Sequence, residues 1–99
     1  MSSIICNAIE ARRVLRFDYE RAHCIVEPHV LGMNAQGAPL LRAYQLSATS
    51  DSHRSVGWKL FSIDGISGLT VLDETFSGPR PGFKTDDPGM TRILCCVSQ

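Results

Sequence analysis

Little in these 99 residues is in excess, and what is missing narrows the reading. Charge of one sign is missing: ten Lys and Arg balance ten Asp and Glu. No overall field therefore steers the molecule toward nucleic acid or an anionic membrane, and any anion binding must come from a local cluster. No apolar run is long enough to span a bilayer. The opening "MSSIICNAIEARRV" lacks the basic segment, apolar core and small-residue cleavage site of a secretory signal, so a cytoplasmic protein without membrane contact is expected. The four cysteines, Cys6, Cys24, Cys95 and Cys96, fall short of the density of a disulfide scaffold, and reduced thiols are expected, with Cys95 and Cys96 as small buried hydrophobes. His23, Cys24 and His29 lack zinc-site spacing. "DGISG" leads into a strand, where a phosphate loop would lead into a helix. Nothing places a nucleophile, a base and an orienting carboxylate together. The expectation is a non-enzyme with no cofactor, no metal and no catalytic residue.

What is present is a change of period. In "SSIICNAIEARR" the residues Ile5, Ala8, Ile9 and Arg12 recur at helical spacing behind serines able to cap a helix, which predicts one short amphipathic helix. From Val14 the period becomes two: Leu15, Phe17 and Tyr19 alternate with Arg16, Asp18 and Glu20, a half-buried strand that turns through "ERA" into "HCIVEP". Pro28 lacks a ladder donor and should end or bend that strand. "HVLGMN", the turn "NAQG" and "PLLRAYQLSA" make a second hairpin. "TSDSHRSVG" reads as a loop, "WKLFSI" and "LTVLDETF" as strands, and "DGISG" as a turn or single helical turn. Residues 77–90, "SGPRPGFKTDDPGM", hold three of the five prolines and read as an extended surface segment; 91–97, with "RILCCV", read as a final edge strand or one lying across the barrel. The chain is thus expected to be one mainly β domain over 1–99 with its core in about 4–76: a small five-stranded antiparallel barrel, one N-terminal helix plugging an end.

The order "AIEARRVLRFDY", "VEPHVL", "PLLRAYQ", "WKLFSIDGI", "LTVLDETF" and "PR" resembles the WYL domain, a bacterial ligand-sensing module built on an Sm-like barrel, over residues 4 to about 80. Pro39, Leu40 and Leu41 stand where the family has its Trp-Tyr-Leu triplet. Lys59 stands where it has an arginine two residues before a phenylalanine, here Phe61. Asp64 and Ile66 are kept from its Asp-Arg-Ile, with Gly65 replacing the arginine. Tyr44 falls at an often aromatic position, and Arg42 is an added charge. Family members commonly follow a DNA-reading head and respond to a nucleotide-like or nucleic-acid ligand. The resemblance therefore implies a standalone sensor or accessory module with a regulatory role.

Arg42 interrupts an otherwise apolar strand. Strand alternation puts Leu40, Arg42, Tyr44 and Leu46 on one face. An arginine beside an aromatic can grip a phosphate while a base stacks; equally, Arg42 can pair with Glu27 or Asp18 across neighbouring strands. Trp58 reads as core or barrel rim. Arg42, Tyr44, Lys59 and Arg16 are the candidate ligand residues for a nucleotide or short single-stranded nucleic acid. The alternative is a structural or protein-interaction module that takes a protein partner, or a second copy of itself, along an edge strand such as "RILCCV".

Overall fold

The fold is known from a computed structural model that describes residues 1–49 and 56–98. The loop expected over "TSDSHRSVG" falls largely on 50–55, outside the described residues.

A helix, α1 (Ser2–Ala11), opens the chain and buries Ile5, Ala8 and Ile9. Neither serine caps it through its side chain. Arg12, expected on the helical stripe, instead ends the helix in the left-handed region at φ 55°, and its guanidinium donates to the Ser77 and Ser98 carbonyls. Among the described residues six strands follow: β1 (Arg13–Tyr19), β2 (Ala22–Met33), β3 (Pro39–Ala48), β4 (Gly57–Ser62), β5 (Ser67–Thr75) and β6 (Arg92–Cys96). A 3-10 turn, Ile63–Gly65, links β4 to β5.

All pairings are antiparallel. The sheet order is β4-β3-β2-β1-β5, with β6 also on β2. The closed five-stranded barrel is not what this order describes: the path has two ends, β4 and β5, and a sixth strand joins it. The physical reason lies in β2. Pro28 does not end it; the strand runs twelve residues and shifts register between Pro28 and Val30. Before this step β2 pairs β1, as Leu15 with Val26; after it β2 pairs β6, as Val30 with Cys96. The change of partner falls at the one β2 residue without an N–H for a ladder.

The core lies under α1. Leu15, Phe17, Val26, Leu31, Leu41, Ala43 and Phe61 join Ile5 and Ile9 there, and Phe61 meets Phe17 and Tyr19 edge-on at 5.0 Å. The reduced-thiol expectation is corrected: Cys6 of α1 and Cys95 of β6 form a disulfide, Cα atoms 5.7 Å apart, because β6 lies beside β2 where α1 packs. Cys24 is buried and Cys96 half-buried, both as thiols, and burial pushes each thiol pKa up.

Residues 77–91 are irregular, and the part of them expected as an extended surface segment, 77–90, does more than cover surface. They form a strap over β3 and β4, with Asp87 only 6% and Met90 8% exposed. Proline and glycine content announces irregular backbone; it does not announce whether that backbone lies on another surface.

Candidate functional site

Strand pairing sorts the candidate residues by face. Tyr44 is opposite Trp58 and Arg42 opposite Leu60, whereas Lys59 is opposite Ala43 of the core face. Directly paired residues share a face, so Lys59 lies on the other side of the sheet from Arg42 and Tyr44. Arg16 is exposed on β1, opposite Ile25 and Thr70, with β2 between it and β3. The structure therefore brings Arg42 and Tyr44 to one face and leaves Lys59 and Arg16 apart from them.

Arg42 takes a different acceptor from either expected. Its Nε donates to Asp87 Oδ2 at 2.6 Å and its Nη2 to Asp87 Oδ1 at 3.2 Å. Asp18 meets His23 instead, and Glu27 is held by Arg80 through two bonds of 2.7 and 3.0 Å. Arg42 is half-buried while Asp87 is buried, so the carboxylate depends on the pair more than the guanidinium does. The bond from Arg42 holds the Asp87 carboxyl below the usual carboxylate range; burial opposes this and the Gly89 N–H assists.

Tyr44 is occupied as well. The Arg80 guanidinium carbon lies 4.5 Å above its ring centre, and its edge meets Trp58 at 5.6 Å. Pairing with Glu27 raises the Arg80 pKa above its ordinary value. Trp58 donates its indole N–H to the Pro81 carbonyl at 3.0 Å and stacks on Phe83, centroids 6.2 Å apart. Gly82 fits here because φ is +88° and a Cβ would stand 3.2 Å from the indole nitrogen.

Between strap and sheet lies a pocket of about 190 Å³, lined by Arg42, Trp58, Gly82, Phe83, Lys84, Asp87 and Pro88. Two cations against one carboxylate leave the lining one positive charge. Arg42 thus has both roles: half of a structural pair and part of a pocket wall. Lys84, Phe83, Asp87 and the Arg80–Glu27 pair were not anticipated. Their signal is a Phe and four charges, two of them in an Asp-Asp-Pro-Gly turn, compressed into "RPGFKTDDPG", more than a solvated linker needs.

The glycine at position 65 has a local reason. A Cβ at Gly65 would come within 2.9 Å of Tyr19 Cε1, and Tyr19 is fixed by its hydroxyl accepting the Ser62 N–H at 3.1 Å.

Among the described residues, no group of three or more His, Cys, Asp or Glu is placed to hold a metal, and no helix is long and apolar enough to cross a membrane. No family model, curated protein or solved structure matches the chain; the likeness to the WYL domain rests on the residues quoted above.

Proposed function

We propose that this chain is a non-enzymatic ligand-binding module of the WYL kind, its open six-stranded sheet an elaborated form of the Sm-like barrel. It holds a base-like ring against Trp58 and Phe83 and the attached phosphate against Lys84 and Arg42, in a regulatory role. The observation that supports this is the meeting of two cations and two aromatic rings in one pocket. Its volume, about 190 Å³, falls below the roughly 300–1,000 Å³ of sites that enclose a whole drug-sized ligand. It suits one ring with its phosphate at the mouth, as for a nucleotide or one residue of a short single strand. Tyr44 and Arg80 then serve as support behind Trp58.

Calorimetric titration at low salt, with a mononucleotide and a short single-stranded oligonucleotide, tests this. Binding should weaken with added salt, and Lys84→Ala should weaken it several-fold and reduce the salt dependence. No binding of either ligand at low salt rejects the reading.

One observation favours a second reading, an interaction module. Ile93 and Leu94 on β6 are 39% and 40% exposed, on a strand that pairs only β2 among the described strands. Such an edge can accept a partner's strand or a second copy. Light scattering that shows concentration-dependent mass, abolished by Leu94→Lys, supports self-association; a constant monomer mass removes it.

A further inference from the structure

His29 is fully buried on β2 beneath the pocket. Its ring meets Trp58 edge-on at 4.7 Å, stacks on Phe76 at 5.3 Å and lies 5.4 Å from Phe83. Its two nitrogens have partners of fixed character. Nδ1 is 2.8 Å from the Glu27 carbonyl, which can only accept. Nε2 is 3.2 Å from the Arg80 backbone N–H, which can only donate. The neutral imidazole with its proton on Nδ1 is the one protonation state that satisfies both.

We propose that His29 is an acid-sensitive latch for the strap: a proton taken from solvent onto Nε2 turns an acceptor into a donor facing the Arg80 N–H, undocks the strap and opens the ligand pocket. The inference rests on the pocket reading above, since the strap supplies Gly82, Phe83, Lys84, Asp87 and Pro88 to the pocket wall.

Two charged groups face the ring. The Glu27 carboxylate, on the same strand, favours an imidazolium; the Arg80 guanidinium, from the strap, opposes it. They are bound to each other by two hydrogen bonds, so their effects on His29 largely offset. From β4, from the segment after β5 and from the strap, His29 otherwise meets the uncharged rings of Trp58, Phe76 and Phe83. Burial decides the balance and lowers the His29 pKa, against the Glu27 carbonyl bond and carboxylate. The undocked strap leaves an imidazole that titrates near its ordinary value of about 6.5. Docking is therefore intact above that pH and weakens as the pH falls from there toward the lower docked value, by at most about tenfold per pH unit for one proton.

The chain has three histidines, and the His23→Asn/His53→Asn variant keeps His29 as its only imidazole. Imidazole nitrogen shifts of this variant should show the Nδ1–H form at about pH 8 and a midpoint below about 6.5. The Arg80 amide and Trp58 indole resonances should move with the same midpoint, without ligand. A midpoint at or above 6.5, an Nε2–H form, or an Arg80 amide unmoved by His29 protonation overturns the latch. A short oligothymidylate, whose phosphodiesters keep their charge over this range, should bind several-fold more weakly at about pH 5 than at about pH 8. If it binds equally at both, the latch is wrong and the pocket stands. If it binds at neither while the Arg80 amide titrates with His29, the latch stands and the pocket's function is wrong.

Discussion

A guanidinium inside an apolar strand must find an acceptor, and Arg42 finds Asp87, 45 residues along the chain. Of the alternatives written in the strand pattern, Glu27, opposite Tyr44, is near Arg42 but already committed, and Asp18, opposite His23, lies toward the other end of the sheet. Glu27 serves Arg80 and Asp18 serves His23. Arg42→Ala strands a buried carboxylate and should cost on the order of 2 kcal/mol, a fall in Tm of roughly 10 °C. Arg42→Ala/Asp87→Ala removes both charges and should recover part of that loss, which calorimetry can show as a coupling between the sites. Recovery of nothing means the pair contributes little and Arg42 acts chiefly toward the pocket. The pH dependence has a definite sign. Because the Asp87 carboxyl is held below its ordinary value, the stability it lends is present above about pH 4 and is lost as the pH falls through the folded pKa. Wild type should therefore lose stability more steeply below about pH 4 than Asp87→Asn; parallel acid curves for the two contradict this.

Helical spacing makes α1 legible, alternation makes β1 and β3 legible, and the turn residues that bound them make β4, the 3-10 turn and β5 legible; "RILCCV" announces β6 only as an apolar last piece. Two features are not legible, and both depend on contacts distant in sequence. Pro28, whose own N–H is missing, announces an end or a bend, but not that β2 continues there by exchanging β1 for β6. The strap looks like surface in the sequence because composition reports backbone freedom and not what the backbone covers. Gly32 ties these together: a Cβ there would meet the Arg92 carbonyl at 2.5 Å and Met90 Sδ at 2.6 Å, where the strap's end becomes β6. Gly32→Ala should destabilise by about 1–3 kcal/mol through this overpacking, measurable in urea; a neutral change means that the crossing is loose. The β1–β2 hairpin offers the opposite case. Its two turn residues, Glu20 and Arg21, have φ of 49° and 66°, the left-handed pair of a two-residue turn that favours Asn-Gly. Arg21→Gly relieves one strained position and should raise Tm by roughly 2–4 °C, glycine's greater freedom when unfolded taking back part of the gain. A lower Tm would show that the Arg21 side chain contributes more than its backbone costs.

At the scale of the whole molecule, the first helix and the last strand are fastened together across 89 residues of sequence by Cys6 and Cys95. No local pattern could announce this, because adjacent Cys95 and Cys96 look alike in sequence and only the position of α1 over the β2–β6 junction selects Cys95. A cross-link that encloses nearly the entire chain restricts the unfolded state strongly, and such bridges contribute typically 2–4 kcal/mol. Reduction, or Cys6→Ser/Cys95→Ser, should then lower Tm by on the order of 10–20 °C while leaving the strand content intact. The two treatments should agree, since Cys24 and Cys96 are thiols in the oxidised protein. Thiol labelling in denaturant without reductant should modify Cys24 and Cys96 and spare Cys6 and Cys95. Labelling of all four would show that the bridge does not form in the protein as isolated. Since bridges of this kind persist in oxidising compartments and are reduced in most cytosols, the same labelling on protein trapped with acid directly from cells reads out the compartment. Full protection of Cys6 and Cys95 there would set aside the cytoplasmic expectation, and full labelling would support it.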